Sequence, residues 1–384
     1  MSSGTSNGSL AIAQANFHML WGGQAEVVLA LSTALSARGH RVTVITPPES
    51  ELSKRAAEAG LDVFTGCRFR KGFRPVSFLK DVNRLGALMK NRGTHIYHCH
   101  GSQDHWTGVF ARNRHSPGTK IVRTRHNIYP IKDHAANRWL FRRQTAQVIT
   151  IFGEQAKYFT ANGLLKTEDL FTLHSPLPQE FATDQPAQRV VRDELKLSPE
   201  TPLIGFVANF HPDKAPLDFV AAAEKIAAEH KDAQFCMAGH GPLDDEIRAR
   251  VSQNGLASRF HMLGFRKDIR SVIASFDLLL LTSVTREASS TVLKQAGAVD
   301  VPVIATDVGG TREIVEDGKT GIVVKPGAVD EISSAAVSLL KDPLRAKQMG
   351  SAGREKVLRE FTAAAIAERT EGLYRRLIQC KSKR

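Results

Sequence analysis

The residues best suited to chemistry lie together in the segment 283–326, which holds a carboxylate, a loop of small residues and the start of a helix. The carboxylate is Glu287, and residues of little bulk lead from it into a helical pattern: Ala288, Ser289, Ser290, Thr291 and Val292. Unpaired backbone amides at a helix start carry a partial positive charge, which suits a diphosphate group. Gln295 follows Glu287 by about two helical turns, so both side chains fall near one face. This spacing predicts that one of them binds a sugar and the other a ribose; a capped surface helix with a solvated acid is the alternative.

The second half of this segment has the pattern of a buried strand followed by a glycine turn. The strand is 301–306, and the turn holds Gly309 and Gly310 ahead of Glu313. Together with Glu287, the pattern resembles the family 4 (group 1) glycosyltransferases, which are retaining enzymes of the GT-B type. The resemblance covers nearly the whole chain. It implies an α/β fold with two Rossmann-like doubly wound domains facing across a cleft, and a nucleoside-diphosphate sugar as substrate.

One departure from the family pattern concerns Gln295. The family signature is an acid, seven residues and a second acid; Glu287 matches the first acid, and Gln295 stands in place of the second. The family's second carboxylate typically accepts hydrogen bonds from both ribose hydroxyls, whereas an amide offers one acceptor oxygen and two donors. The resemblance therefore implies a donor site in which the ribose contact is weaker or altered.

The composition is that of a globular protein with more than one domain. A chain of 384 residues is long for a single core, and 42% of the residues are hydrophobic while 24% are charged. The resemblance implies an N-terminal acceptor-side domain over 1–178, completed by a final helix at about 362–384 that crosses back to it. A C-terminal nucleotide-sugar-binding domain is expected over 190–361. The proline-containing stretch 175–189 is the predicted linker.

Several classes of protein are disfavoured by what the sequence lacks. No apolar run approaches the roughly 18 residues of a membrane helix, and the first residues have no basic signal-peptide opening. We therefore expect a cytoplasmic location. The four cysteines are scattered without C-x-x-C spacing, which argues against a zinc site or a disulfide framework: Cys67, Cys99, Cys236 and Cys380.

The first half of the chain alternates strand-like and helix-like segments, as a parallel sheet requires. A strand is predicted over 10–17 and a helix over 24–38, with Gly22 and Gly23 turning the chain between them. The resemblance implies that this turn approaches the donor diphosphate, where any side chain would hold the phosphate away. A tight turn that binds no ligand is the alternative.

Histidines cluster in and near the next predicted strand, 95–101. Alternate side chains of a strand share a face, so His98 and His100 could converge while His95 points elsewhere, which disfavours a metal site. The resemblance places His100 on the acceptor side and His126, at the end of the following strand, close to the reacting sugar. A neutral imidazole there could accept a hydrogen bond from a sugar hydroxyl or relay the acceptor's proton. Packed structural histidines are the alternative for both positions.

The second half of the chain carries the residues expected to contact the donor phosphates. Lys214 stands where the family has a lysine that meets these phosphates, but Asn209 replaces the family's arginine. One fixed positive charge is therefore missing from a group whose developing charge the enzyme must stabilise. Arg266 and Arg286 are the residues we expect to compensate. An exposed loop lysine is the alternative for Lys214.

The nucleotide is expected further along the same half. Gly239 and Gly241 follow a predicted strand and, by the resemblance, let the nucleotide approach the backbone. Family members usually hold the base with backbone groups near the position of Phe265. The side chains therefore do not indicate which nucleotide base is bound.

Positive charge is concentrated in the first half of the chain. Residues 1–190 hold 24 Lys and Arg against 13 Asp and Glu, whereas the remainder holds 28 against 26. Much of the excess lies in the segment 68–92. There, basic residues interleave with apolar ones: Phe69, Phe73, Phe78 and Leu79. Such a segment suits the anionic inner leaflet of a membrane or a phosphorylated lipid acceptor, and a solvated basic helix is the alternative. No nucleic-acid-binding motif is present.

The expected mechanism uses no metal. The chain has no Asp-x-Asp sequence, so nothing in it resembles the metal-bound diphosphate clamp of the other common glycosyltransferase fold. Lys214, glycine-turn amides and the helix start at Thr291 would neutralise the diphosphate instead. The implied reaction moves a hexose-like sugar to a hydroxyl of a glycan or glycolipid with retention, in lipopolysaccharide, capsule or other cell-envelope polysaccharide synthesis. Glu287 is assigned to donor orientation rather than to covalent catalysis.

Two other functions remain open at the level of sequence. One is a GT-B sugar-nucleotide epimerase or hydrolase, which needs no acceptor. The other is a non-catalytic donor-binding protein, which the substitutions at Asn209 and Gln295 make conceivable. A dinucleotide oxidoreductase is disfavoured because no G-x-G-x-x-G follows the first strand.

Overall fold

The chain forms two compact units in the computed structural model. Unit 1 comprises residues 1–176 together with 363–384, and unit 2 comprises residues 177–362. The structure describes residues 8–70, 72, 74–127, 129, 131–161, 163–285 and 287–380. Each unit contains one parallel sheet with helices around it. The α/β fold with two doubly wound units, predicted from the sequence, is confirmed.

The sheet of unit 1 has seven parallel strands in the order β3-β2-β1-β4-β5-β6-β7. The strands are β1 Ala11–Ala15, β2 Arg41–Ile45, β3 Asp62–Phe64, β4 Ile96–Cys99, β5 Lys120–Arg125, β6 Gln147–Thr150 and β7 Leu170–Thr172. The helices between them are α1 Gly23–Ala37, α2 Glu51–Glu58, α3 Pro75–Arg92, α4 Ser102–His115, α5 Ala135–Arg138 and α6 Gly153–Ala161, and a π-helical turn spans Trp139–Gln144.

The centre of this sheet is the place where strand order reverses. Strand β1 lies between β2 and β4, and all five of its residues are buried, as expected for a strand covered on both faces. In doubly wound sheets, ligands bind beyond the carboxyl ends of the strands at such a reversal. The turn at Gly22 follows β1, and His100 follows β4 directly. The fold therefore brings two of the predicted site segments to the same edge of the sheet.

The sheet of unit 2 has six parallel strands in the order β10-β9-β8-β11-β12-β13. The strands are β8 Leu203–Val207, β9 Gln234–Ala238, β10 Phe260–Gly264, β11 Leu278–Leu281, β12 Val303–Thr306 and β13 Gly321–Val324. The helices are α7 Val190–Glu194, α8 Pro216–Glu229, α9 Asp244–Gln253, α10 Ile269–Ala274, α11 Thr291–Ala298, α12 Thr311–Ile314, α13 Val329–Lys341 and α14 Pro343–Glu360. Here the strand order reverses between β8 and β11, which pair directly.

The stretch 175–189, predicted as a linker, contributes to the core of unit 2. Leu177 and Phe181 are buried among its apolar side chains, and the Leu177 N–H donates to the Phe361 carbonyl at 2.7 Å. The division between the units accordingly falls before Leu177. Proline content marked the right region, but the apolar residues between the prolines anchor it to one unit.

The final helix, α15 (Ala363–Gln379), belongs to unit 1, as the resemblance implied. Its buried face packs with α1 and β1 in one apolar cluster that includes Ile366, Tyr374, Leu31 and Leu35. Glu371 of α15 accepts hydrogen bonds from two arginines. Arg38, which follows α1, donates from Nε to Glu371 Oε2 at 2.6 Å, and Arg375 donates from Nε to Glu371 Oε1 at 2.7 Å. Within the described ranges, no helix is both long enough and apolar enough to span a bilayer.

Replacing Glu371 with Gln should loosen α15. Burial alone would raise the pKa of Glu371, but the hydrogen bonds from Arg38 and Arg375 prevail and lower it to about 2. A carboxyl with a depressed pKa stabilises the fold above its unfolded pKa of about 4.3, and this contribution is lost as the pH falls toward 2. We expect Glu371→Gln to lower the free energy of unfolding by about 2 to 3 kcal/mol at pH 7. Urea unfolding should show the deficit shrinking below about pH 4; Glu368→Gln, an exposed acid on the same helix, is the control and should change nothing.

Candidate functional site

In unit 2, Glu287 is a buried carboxylate held by two partners. Only 5% of the residue is exposed, in the loop between β11 and α11. The Ser283 hydroxyl donates to its Oε1 at 2.8 Å, and Lys214 Nζ forms an ion pair with the same oxygen. Glu287 and Lys214, which sequence reasoning assigned to separate motifs, are thus direct neighbours. Among the residues that the structure describes, none donates a hydrogen bond to Oε2 of Glu287.

The glycine turn after β12 fixes the backbone at Glu287. Gly309 has a φ of +57°, and a Cβ built on it would lie 1.5 Å from the Glu287 carbonyl oxygen. The Gly310 N–H donates to the carbonyls of Glu287 and Ala288, at 3.3 and 3.1 Å. The acid and the second glycine turn of the 283–326 segment are therefore one structural feature, because only glycine permits this approach.

Lys214 is positioned by a short loop between β8 and α8. It ends a 3₁₀ turn over Pro212–Lys214, and the next residue, Ala215, has a left-handed φ of 43°. Thr282, at the end of β11, donates its hydroxyl to the Lys214 and Ala215 carbonyls at 2.9 Å each. The Val284 N–H donates to the Asp213 carbonyl at 3.0 Å. Thr282 and Asp213 were missed by sequence reasoning, because only strand pairing makes these two loops neighbours.

Helix α11 begins at Thr291 close to this acid. Ser289 and Ser290 are buried and Thr291 is exposed, and Ser290 does not cap the helix with its side chain. The first backbone N–H groups of α11 are therefore not satisfied by the capping residue. Val292 and Gln295 are both partly buried on this helix.

A buried lysine on α11 was not anticipated from the sequence. Lys294 has no exposed surface, and its Nζ lies 3.1 Å from the Ser289 hydroxyl. The ammonium also lies 5.8 Å from the centre of the Phe361 ring. Lys294 lies three residues after the start of an amphipathic helix, and nothing in the sequence there indicates that its side chain is buried. Its nitrogen therefore contacts the small-residue loop from within the protein.

The glycines after β9 are required by the packing of the protein itself. A Cβ on Gly239, whose φ is +139°, would lie 1.8 Å from the Ala208 carbonyl oxygen. A Cβ on Gly241 would lie 2.5 Å from Asn209 Oδ1 and 2.7 Å from the Phe210 amide nitrogen. These two glycines thus let the loop after β9 pack against the loop after β8, where Asn209 is exposed. This reason for glycine holds with or without a nucleotide.

The predicted base-binding region lies at the surface of unit 2. Phe265 is 68% exposed, with its ring 6.1 Å from that of His240. Arg266 donates to both carboxylate oxygens of Glu194, at 2.8 Å each, and to Asp268 at 2.8 and 2.6 Å. These hydrogen bonds raise the pKa of Arg266, and two acids balance its charge. Arg266 is therefore poorly placed to replace the arginine missing at Asn209; Arg286, the other candidate, lies outside the described residues.

In unit 1, close packing among the described residues does not require the glycines of the turn after β1. A Cβ on Gly22 or Gly23 would meet no heavy atom within 4 Å. The backbone of Gly22 is extended, with a φ of 177°, which any residue adopts. Packing and conformation therefore leave both positions open to larger residues, in contrast to Gly239 and Gly241.

Three histidines of unit 1 form a continuous row. His98 of β4 and His100, which follows the strand, lie on the same face, as predicted, with ring centroids 4.3 Å apart, and His100 stacks on His126 at 5.1 Å. His100 Nδ1 lies 2.8 Å from His126 Nε2. His95 points away and accepts from the Ala11 N–H at 2.9 Å. The described segments contain no group of three His, Cys, Asp or Glu side chains arranged for a metal ion.

All three imidazoles of the row are held in the neutral form. Burial, with a smaller contribution from other positive groups, lowers the pKa of His98 to about 3 and that of His100 well below its usual value. His126 keeps part of its surface accessible, but enough protein surrounds the ring that burial, aided by Arg123 and His18, lowers its pKa to about 3. The rings therefore act as neutral hydrogen-bonding groups near pH 7.

Comparison with known proteins gives a consistent family and fold. The model described as "Glycosyl transferases group 1" matches residues 188–356, and "Glycosyltransferase Family 4" matches residues 21–163. The N-acetyl-alpha-D-glucosaminyl L-malate synthase of Bacillus anthracis is 26% identical over 92% of this chain and 93% of its own. The structure of a glycosyltransferase from Rickettsia africae ESF-5 superposes with a TM-score of 0.84 at 16% identity, covering 97% of this chain and all of that one.

A second solved structure carries a ligand. Anabaena Alr3699/HepE in complex with UDP superposes with a TM-score of 0.79 at 18% identity, covering 96% of this chain and all of that one. At this identity the likeness establishes the fold alone. The two family models between them match most of the sequence, one in each unit. The chain is therefore a member of the group 1, family 4 glycosyltransferases and has the GT-B fold.

Proposed function

We propose that this protein is a retaining glycosyltransferase that moves a hexose-like sugar from a nucleoside-diphosphate sugar to a hydroxyl of a glycan or glycolipid. The observation that carries this proposal is the pairing of buried Glu287 with Lys214 beside the start of α11. The product belongs to lipopolysaccharide, capsule or another cell-envelope polysaccharide. The reaction takes place in the cytoplasm.

The donor diphosphate is neutralised by protein groups and needs no metal. Lys214 supplies a full positive charge, and the N–H groups at the start of α11, from Thr291 and Val292, supply partial charge. Because these groups are fixed before the donor binds, they stabilise the charge that develops on the departing diphosphate without reorganisation. Gln295 contacts the ribose, and backbone groups near Phe265 contact the base.

Glu287 orients the sugar rather than attacking it. Its Oε1 is occupied by Lys214 and Ser283, which leaves Oε2 to accept hydrogen bonds from sugar hydroxyls. A nucleophile would have to move its free oxygen to within bonding distance of the anomeric carbon. A carboxylate anchored on one side by an ammonium and a hydroxyl is better suited to hold a hydroxyl in place than to move to carbon.

Unit 1 supplies Gly22, Gly23, His100 and His126. The two glycines leave space for the diphosphate, since none of the described residues places an atom within 4 Å of where their Cβ atoms would be. His126 accepts a hydrogen bond from a sugar or acceptor hydroxyl, and His100 supports it from the acceptor side. Neutral imidazoles suit this task because they keep a lone pair at neutral pH.

Gly22→Val should separate ligand binding from stability. The valine side chain meets open space, so the free energy of unfolding should change by less than about 1 kcal/mol. The same side chain occupies the diphosphate position, so donor affinity measured by calorimetry should fall at least about thirtyfold. Gly118→Val is the matched control, because its Cβ also meets no atom within 4 Å. Unchanged donor affinity in Gly22→Val would remove this turn from the site.

We further propose that unit 1 makes peripheral contact with the anionic inner leaflet of the cell membrane through residues 68–92. The structure corrects the apolar part of that prediction: Phe69 is buried, with 3% exposed, and Phe78 is only partly exposed. The exposed apolar side chains are Val76 and Leu79, at 67% and 52%. Phe73 lies outside the described residues. Basic residues flank these apolar side chains: Arg74, Lys80 and Arg84.

The decisive experiment incubates the protein with a panel of nucleotide sugars, with and without a membrane-lipid extract. UDP-sugars come first, because UDP is bound in the Anabaena structure. Nucleotide release that depends on acceptor supports the proposal. Isomerised or hydrolysed sugar without acceptor would favour an epimerase or hydrolase instead. Binding without turnover would favour a donor-binding protein. The anomeric configuration of the product, read by NMR coupling constants, tests retention.

A further inference from the structure

Buried polar groups in unit 1 form one hydrogen-bonded chain that ends at His126. Each member is hydrogen-bonded to the next in the order Thr124, His98, Tyr374, Gln14, His100 and His126. His98 Nε2 lies 2.6 Å from the Thr124 hydroxyl, and His98 Nδ1 lies 2.6 Å from the Tyr374 hydroxyl. Gln14 spans the middle: its Nε2 lies 3.3 Å from the Tyr374 hydroxyl and its Oε1 lies 2.9 Å from His100 Nε2. Tyr374 and Gln14 are fully buried.

The side-chain amide of Gln14 fixes which atom donates and which accepts in each of these hydrogen bonds. Its carbonyl oxygen can only accept, so His100 must donate from Nε2. A neutral imidazole has one N–H, so His100 Nδ1 is an acceptor, and the bond to His126 must be donated by His126 Nε2. His126 is neutral for the reasons given above. Its second ring nitrogen, Nδ1, is left with a lone pair.

The hydrogen bonds from Gln14 through Tyr374 and His98 to Thr124 fit the same assignment of donors and acceptors. The Gln14 amide N–H donates to the Tyr374 hydroxyl, whose own proton is then directed to His98 Nδ1. His98 consequently carries its proton on Nε2 and donates it to Thr124. Every ring nitrogen of His98 and His100 has one partner, and each bond has one proton. Turning the Gln14 amide over would reverse every bond and place a proton on His126 Nδ1.

We propose that Gln14 is a positioning residue that sets the tautomer of His126, with the proton on Nε2 and the lone pair on Nδ1. Over the described stretches of the chain, Nδ1 of His126 has no hydrogen-bond partner. The consequence for catalysis rests on the proposed function: an acceptor nitrogen at this position receives a hydrogen bond from a substrate hydroxyl. In the opposite tautomer an N–H would face that hydroxyl and could not accept its proton.

The tautomer is measured directly by long-range ¹H–¹⁵N NMR of ¹⁵N-histidine-labelled full-length protein, with His126 assigned through His126→Gln. In the wild type we expect His126 protonated on Nε2. Gln14→Leu leaves the His100 Nε2–H without an acceptor. With that proton moved to His100 Nδ1, the bond to His126 Nε2 is kept but is now donated by His100, so His126 should shift to the Nδ1–H form. Gln147→Leu, a matched change on β6 of the same sheet, should leave the His126 signal as it is.

Two spectral outcomes would overturn the assignment. One is a wild-type His126 protonated on Nδ1, which tests the proposal even where Gln14→Leu does not fold. The other is a folded Gln14→Leu protein in which the His126 tautomer is unchanged. Both are read without substrate, so they are independent of whether the protein transfers sugar.

Transfer assays then test the link to catalysis. With the donor and acceptor found active for the wild type, Gln14→Leu should lower kcat/KM on the order of tenfold, the size of one lost hydrogen bond. Gln147→Leu should match the wild type. A full tautomer shift with unchanged kcat/KM would overturn the role of the Nδ1 lone pair. A wild type inactive with every donor would overturn the proposed function, while the spectra still decide the role of Gln14.

Discussion

Glu287→Gln is expected to lower kcat for sugar transfer by about a thousandfold or more while unit 2 stays folded, a loss equal to about 4 kcal/mol of transition-state stabilisation. The amide has the shape of the carboxylate and can still accept from Ser283. It cannot balance the charge of Lys214, and it presents at most one acceptor oxygen. The sugar therefore loses the anionic acceptor that holds its hydroxyls.

The measurement that identifies this role compares two ligands. Binding of the free nucleoside diphosphate should not weaken, because Lys214 keeps its charge and its hydrogen-bonded loop when the carboxylate is replaced, whereas binding of the intact nucleotide sugar should weaken. Circular dichroism and the melting temperature report on the fold. Glu331→Gln, an exposed acid of the same unit that lies 4.0 Å from Lys325, serves as the control and should retain full activity. Wild-type turnover in Glu287→Gln would refute the donor-orientation role.

The Glu287–Lys214 pair shows which features of the site could be predicted from the sequence and which could not. Each residue is predictable from its own motif, because a helix start after small residues and a polar loop after a buried strand are local patterns. Their contact is not local: it depends on β8 pairing with β11 in the sheet. Strand order is decided by the packing of whole helices and strands, which local patterns do not encode.

The reason for glycine at a given position also could not be predicted from the sequence. Gly22 and Gly239 both follow a strand, and the sequence assigns both to ligand approach. Only the structure shows that Gly239 is needed because Ala208 lies 1.8 Å from where its Cβ would be, whereas Gly22 faces open space. Likewise, the sequence places Phe69 among the apolar residues of a segment suited to a membrane surface, but tertiary packing buries it.

The polar chain through Gln14 was beyond sequence reasoning altogether. Tyr374 and Gln14 are 360 positions apart and meet because α15 returns to unit 1. The histidine pattern of β4 did predict that His98 and His100 share a face. It could not predict that a tyrosine from the last helix and a glutamine from the first strand satisfy their ring nitrogens.

Lys214→Met is expected to lower kcat/KM at least about a hundredfold, because it removes the one full positive charge that we assign to the donor diphosphate. Binding of the free nucleoside diphosphate should weaken as well, which distinguishes this variant from Glu287→Gln. Lys225→Met on α8, which removes an exposed lysine paired with Asp330, is the matched control and should leave transfer unchanged. Wild-type affinity of Lys214→Met for the nucleoside diphosphate would remove Lys214 from the phosphate site.

Stability provides an independent check on the same pair. Lys214→Met leaves the Glu287 carboxylate buried without its counter-charge, and we expect this to lower the free energy of unfolding by about 1 to 3 kcal/mol. Adding Glu287→Gln removes the uncompensated charge, so the double variant should recover most of that stability. It should not recover transfer, since both groups act on the donor. Recovery of activity together with stability would mean that the pair only supports the fold, whereas recovery of stability alone places both side chains in the chemistry.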